Sequence, residues 1–380
     1  SWGDMTGSGF VRIGKYKGKG SLRALFDRIS SVLLSELRSA NFSKIVEAYT
    51  AIHPSEIEWF ISSLEYWKEK LSGYGNEYRK VLGFLVTKVV AALSLWWGYL
   101  EAGGKSPPPL SEPPPNMLEN IRKLSQKERY RKHLKIAVIF PIKVEACHNK
   151  CVMLLLNNVK KLARINGIKK IVIVGSGIER MSHLLNDAKP LLELIDLKDD
   201  KGPAYARNIG AEIAMSSGCN VLLFVDHDVI IKAESIKKLA DIALSYRGMS
   251  APLIAGSNKT WFDEFHNVDG TLNGVYFGSN TRKPSRLLLY ATTCCLAVHA
   301  DLFSCGLRFD ETFKIAAGED IDLCLRGIMA GFPIIAVDEV IVKHDYGYSG
   351  VDEDYDLSRF IERYARYGKG NAILLSKHPY

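Results

Sequence analysis

The sequence predicts an α/β protein: a doubly wound, mostly parallel sheet preceded by an all-helical N-terminal domain. Three observations carry this. Short apolar runs, KIAVIFP (135–141), KKIVIV (169–174) and VLLFV (221–225), alternate with helical stretches. Alternation of this kind builds a parallel sheet covered on both faces. Ahead of them, residues 21–103 repeat apolar side chains at helical spacing, as in Leu22, Leu25, Phe26, Ile29, Val32 and Leu33. Between the two regions lies SPPPLSEPPP (106–115), which reads as a stiff, extended linker.

In chain order, residues 1–20 are rich in Gly and Lys and read as a flexible basic segment. A helical domain follows over 21–105, in which Ser55, Glu56 and Glu58 after Pro54 mark a helix start. Its last part, Val81 to Leu100, is mostly apolar and ends in Trp96, Trp97 and Tyr99. That length could cross a bilayer, but Thr87 and Lys88 near its middle favour a buried bundle helix over an interfacial or spanning one. A Pro-rich and basic linker occupies 106–133, and the α/β domain runs over 134–380.

The 380 residues carry a net charge of +8, with 47% hydrophobic and 24% charged residues, ordinary values for a globular chain. Residues 1–133 hold 20 Lys and Arg against 13 Asp and Glu, so nearly all of the excess belongs to the front. Its clusters, Arg12 to Lys19 and Arg122 to Lys132, are a solvated surface or a site of attraction to phosphates and anionic membranes. Nothing beyond these clusters points to nucleic acid. The seven cysteines lack metal-ligand spacing, and the opening residues lack a secretory leader. The expectation is a cytoplasmic chain, with peripheral membrane contact through the front as the alternative. Gln126 is the only glutamine, a depletion that fits a thermophile.

Three motifs carry the chemistry: KGPAYARNIG (201–210), LLFVDHD (222–228) and AAGEDIDLCLRG (316–327). In the second, a buried strand ends abruptly in Asp226 and Asp228. Ligands bind open α/β sheets at the C-terminal ends of their strands. A carboxylate pair there suits a hard divalent cation that clamps substrate phosphates. In the third, Glu319, Asp320 and Asp322 open a helix, where acids either satisfy the helix dipole or act on substrate.

Together these motifs resemble the GT-A glycosyltransferases, most closely family 2, over about residues 135–375. The resemblance implies a metal-dependent, inverting transfer of a sugar, most simply a hexose, from a UDP- or GDP-linked donor to a hydroxyl acceptor on a glycan, lipid-linked carrier or protein. Asp226-His227-Asp228 matches the DxD motif. Asp226 would contact the donor ribose or the metal, and Asp228 the Mn²⁺ or Mg²⁺ on the diphosphate. His344, after the strand VIVK (340–343), corresponds to a histidine that completes the metal shell in several such enzymes. Glu319-Asp320 matches the ED motif, with Asp320 as general base and Glu319 as a sugar or acceptor contact. Lys201 and Arg207 would face the donor, the latter toward a phosphate or the DxD carboxylates. Pro141 and Glu145 keep the family spacing after the first strand, and Tyr346 to Gly350 reads as a lid.

The chain also departs from the family. Lys143 and Val144 replace its usual middle pair, and Gly175 or Ser176 stands where an Asp would meet the nucleotide base. The base therefore stays open, with Ser176 the donor-side candidate. The alternatives weighed are a retaining transferase of the same fold and a non-catalytic sugar-nucleotide-binding scaffold. A nucleotidyltransferase would need a Gly-rich basic loop after the first strand, and FPIKVEACHN offers none.

Overall fold

Along β1 (Ile136–Lys143) Val138, Phe140 and Ile142 face one apolar layer, while Ala137 and Ile139 face another. A strand buried on both sides requires helices on both sides. In this computed structural model the described residues are 133–144, 149–181, 190–257, 260–274 and 286–378, with 87, 90, 91, 94, 95, 98, 99 and 101–104. The expected basic segment, most of the helical domain, the linker and Glu145 lie outside them.

The chain divides into two compact units. The second (110–257, 270–346 and 377–380) holds an eight-stranded sheet. Its further strands are β2 (Ile168–Ser176), β3 (Leu192–Asp196), β4 (Val221–Val225), β5 (Val229–Ile230), β6 (Met249–Gly256), β7 (Cys295–His299) and β8 (Ile334–His344), in spatial order β3-β2-β1-β4-β7-β6-β8-β5. The helices covering it are α1 (Asn149–Leu162) and α3 (Ala233–Tyr246) on one face, and α2 (Pro203–Ser216), α5 (Asp301–Ser304) and α6 (Glu319–Met329) on the other.

The sheet is mixed, with parallel pairings in the majority. β1–β2, β2–β3, β1–β4 and β6–β8 run parallel, but β4–β7, β6–β7 and β5–β8 run antiparallel. Sequence patterning missed β3 and β6 for physical reasons. LELID is half-exposed and carries Glu193 and Asp196, so it lacks the apolar run of a central strand. β6 contains Pro252, which cannot donate to a ladder, and the register shifts between Pro252 and Leu253. The small face of α2 brings it onto the sheet: a Cβ at Gly210 would lie 2.4 Å from Ile139 Cγ2.

The first unit includes 258–269 and 347–376, segments of the expected 134–380 domain. Its described parts are helical residues between 87 and 101, α4 (Trp261–Asp269) and α7 (Glu353–Lys377) without its last residue. Val90, Ala91, Ser94 and Tyr99 are buried, and Trp261 Nε1 donates to Thr87 Oγ1 at 2.9 Å. A Cβ at Gly98 would lie 1.7 Å from the Ala365 carbonyl oxygen, and one at Gly368 would lie 1.7 Å from that of Leu95. Two glycines thus let the helix backbones touch. No helix among the described residues is long and apolar enough to cross a membrane. The segment expected as a lid is anchored at its far end: Tyr348 is buried with its hydroxyl 2.7 Å from His266 Nε2, and Asp356 accepts from the Ser349 and Gly350 amides.

Candidate functional site

β4 ends at Val225 because the chain must turn there. The Asp226 amide donates to the Cys294 carbonyl (3.0 Å), and the Asp226 carbonyl accepts from Val229 (3.2 Å). This turn projects Asp226 and Asp228 from the C-terminal edge of the sheet. Pairing of β5 with β8 sets Val229 opposite His344, and the Asp345 amide donates to the Asp228 carbonyl at 3.0 Å. Strand register therefore delivers the imidazole of His344 to the carboxylate of Asp228.

Asp226, Asp228 and His344 offer ligand atoms that all lie within 4.8 Å of one another. His344 Nε2 and Asp228 Oδ1 are 3.4 Å apart, yet Asp228 Oδ1 makes no hydrogen bond within the protein. Two ligands of one small cation, each about 2.1 Å from it, stand about 3 Å apart. An orphaned buried carboxylate oxygen facing an imidazole at that range fits a divalent cation; the two carboxylates suit Mn²⁺ or Mg²⁺, and the imidazole favours the softer Mn²⁺ of the two. The His344 ring leans on Tyr346, with centroids 4.7 Å apart, which holds its orientation.

α2 supplies the group that ties this edge to α6. Arg207 is buried, and its guanidinium donates to Asp226 Oδ1 (3.1 Å) and to Glu319 Oε1 (2.7 Å). Burial works against its charge, but the carboxylates of Asp226, Glu319 and Asp320 outweigh this and raise its pKa. Its neighbour Asn208 clamps the backbone of Phe309, accepting from the amide and donating to the carbonyl, each at 2.9 Å.

α6 begins after Gly318, whose φ of 90° is the left-handed region that glycine tolerates. Burial, aided by the neighbouring charge of Asp320, pushes Glu319 up to about 7 despite its bond to Arg207. Asp320 is also raised, again chiefly by burial, though Arg207 and the amides of Ile321 and Thr293 favour its charged form. A carboxylate lifted in this way is a better proton acceptor near neutral pH than a solvated one.

Other residues singled out in the sequence stand apart from this cluster. Pro141 lies buried inside β1, paired with Val174. Ser176 ends β2 opposite Lys143. Lys201 sits before α2 with its ammonium 4.8 Å from the Tyr205 ring centre. Pattern reading missed Asp200, which joins Lys143 (2.9 Å) to the Gly202 amide (3.0 Å), since an exposed acid in an acidic loop carries no signal of its own. It also missed Asp322 and His378 as a pair, 2.9 Å apart and buried. A separation of 56 residues has no local signature.

Residues 146–307 match the family model for glycosyl transferase family 2, so the match includes Arg207, Asp226 and Asp228 but stops short of Glu319 and His344. No curated protein matches. Solved structures similar to this chain include these three. GalNAc-T7 with UDP, GalNAc and Mn²⁺ shares 17% identity over 57% of this chain and 44% of its own, with a TM-score of 0.42. TarS of S. aureus shares 19% over 60% and 39%, with a TM-score of 0.38. The mannosyltransferase PcManGT of Pyrobaculum calidifontis, in complex with GDP-Man and Mn²⁺, shares 16% over 70% of each chain, with a TM-score of 0.39. This chain spans less than half the length of the first two. At such scores these likenesses support nothing beyond resemblance.

Proposed function

We propose that this chain, whose residues 146–307 match the model for glycosyl transferase family 2, transfers a sugar from a nucleotide-diphosphate donor to an acceptor hydroxyl with inversion at the anomeric carbon. The observation that supports this best is the guanidinium of Arg207 joining Asp226 to Glu319, which sets the strand-end carboxylates and the start of α6 around one place. A donor site and a proton acceptor must share such a place for a single displacement.

Asp226, Asp228 and His344 would hold the divalent cation, which when bound neutralises the charge growing on the departing diphosphate. Asp320 takes the proton of the acceptor hydroxyl as its oxygen attacks the sugar. Glu319, bonded to Arg207, is less free to do so. Arg207 fixes both motifs and adds positive charge behind the phosphates. The base subsite lies at the ends of β1 and β2, where Lys143 and Ser176 stand opposite one another.

The reading is tested by titration calorimetry with Mn²⁺ across UDP- and GDP-sugars, followed by NMR of the product. Donor binding should vanish in excess chelator, and an axial donor should give an equatorial linkage. An axial product would assign a retaining reaction and remove Asp320 from its role.

A further inference from the structure

The first turn of α6 is gripped on its far side with the help of Lys377 and His378, which lie outside all three motifs. Asp322 is buried, and its Oδ1 stands 2.9 Å from Nε2 of the buried His378. Its other oxygen accepts from Arg326 Nε at 2.9 Å, and Arg326 Nη2 donates on to the Arg308 carbonyl at 2.7 Å. Next to His378, the ammonium of Lys377 pairs with Asp310 and lies 5.5 Å from the Phe313 ring centre. Asp310 in turn accepts from the Thr312 amide at 2.9 Å. From the other side, Asn208 holds Phe309 and Glu311. The run from Arg308 to Asp322 is thus fastened by α2 and again by residues 377–378, all within the second unit.

Helical geometry gives this arrangement a direction. Positions 319 and 322 lie about 60° apart around the axis, and 320 and 322 about 160°. Glu319 is tied to Arg207 and Asp322 to His378, which leaves Asp320 beside the first tie and on the opposite side of the helix from the second. Two buried pairs, one on each end of the first turn, therefore set the rotation and height of Asp320. A buried carboxylate paired on both oxygens does not shift without losing those bonds.

We propose that Lys377 and His378 form a latch that positions the general base, with His378 acting through Asp322 on α6 and Lys377 acting through Asp310 on the segment before it. This rests on the assignment of Asp320 as base. The donor cluster sits on strand ends with its own register, so the latch acts on turnover rather than on donor affinity.

The test uses His378→Ala, His378→Gln and Lys377→Ala in the full chain. A displacement of about 1 Å at a reacting group costs on the order of 10²-fold in rate. His378→Ala should lower kcat by roughly 10- to 100-fold while the calorimetric donor Kd with Mn²⁺ stays within about twofold. Gln keeps an N–H at the position of Nε2 and should restore most of that loss. Lys377→Ala, at a partly exposed pair, should fold normally and show a smaller fall in kcat. Hydrogen exchange over 309–323 should quicken in His378→Ala. Unchanged kcat in His378→Ala, an equal loss in donor affinity, or no restoration by Gln overturns the latch. Asp320→Asn separates the two ideas: if it turns over normally the base assignment fails, and the latch then stands or falls on whether exchange over 309–323 quickens in His378→Ala.

Discussion

The two acidic clusters of the site are built on opposite plans. Asp226 and Asp228 project from strand ends and keep 28% and 20% of their side chains exposed, and an Asp228 oxygen lacks a hydrogen bond while facing His344. Glu319 is 3% exposed and meets a buried guanidinium. In the first cluster Arg207 meets Asp226 alone while Asp228 faces an imidazole, so on the proposed reading an external cation would complete it. The second is neutralised from within, so its chemistry depends on how burial and Arg207 divide the charge. One lesson follows: carboxylates close in space can differ in kind, and exposure with partner identity, rather than acidity of sequence, separates them.

That contrast predicts a graded set of losses. The largest belongs to Asp320→Asn, which keeps size but removes the proton acceptor. Turnover should fall by roughly 10²–10⁴ with donor affinity nearly unchanged, as read by steady-state kinetics beside calorimetry. Equal falls in turnover and affinity would instead move Asp320 to the donor side. Next is Asp228→Ala, which should weaken metal-dependent donor binding by about 10- to 100-fold or more. Binding of the same strength with and without chelator, before and after the change, would erase the distinction between the clusters.

Arg207→Met tests the link between them. It leaves Glu319 buried and unpaired, and losing one partner of a buried pair costs about 3–5 kcal/mol. Asp226 is partly exposed and Glu319 can take up a proton, so the lower part of that range is expected in urea unfolding. Arg207→Met with Glu319→Gln should recover much of the stability but not the activity. No recovery would mean that the guanidinium serves packing against Phe309, 5.7 Å from its ring centre, more than charge.

Much of this was legible in the sequence, and what escaped has a common cause. LLFVDHD announces a buried strand ending in two carboxylates by local pattern alone, and the acids Glu319, Asp320 and Asp322 announce a helix start. β4 is apolar throughout, and β1 and β2 carry the apolar runs 136–142 and 171–174, so they too show locally. Antiparallel β7 and the edge pairing of β5 with β8 depend on register across more than seventy residues, which no window contains. The same holds for the bond of Arg207 to Glu319, 112 residues apart, and of Asp322 to His378. Both partners of each pair were visible as residues; only the fold makes them pairs.

The smallest expected effect is the sharpest probe of the second cluster, because it isolates one proton. Burial raises the Glu319 carboxyl from 4.5 to about 7 in the folded chain. The folded state then holds a proton that the unfolded state has released, so unfolding free energy must fall as pH rises across that window. Below 4.5 both states are protonated and the contribution is whole; above 7 both are charged and it is gone. In chelator, the thermal midpoint of the parent chain should therefore decline from pH 5 to pH 7. Glu319→Gln, neutral throughout and still able to accept from Arg207, should flatten that decline by a few degrees while leaving the acid side unchanged. If the two chains show parallel curves, Glu319 is ionised across the whole range, and the guanidinium of Arg207 rather than burial governs its charge.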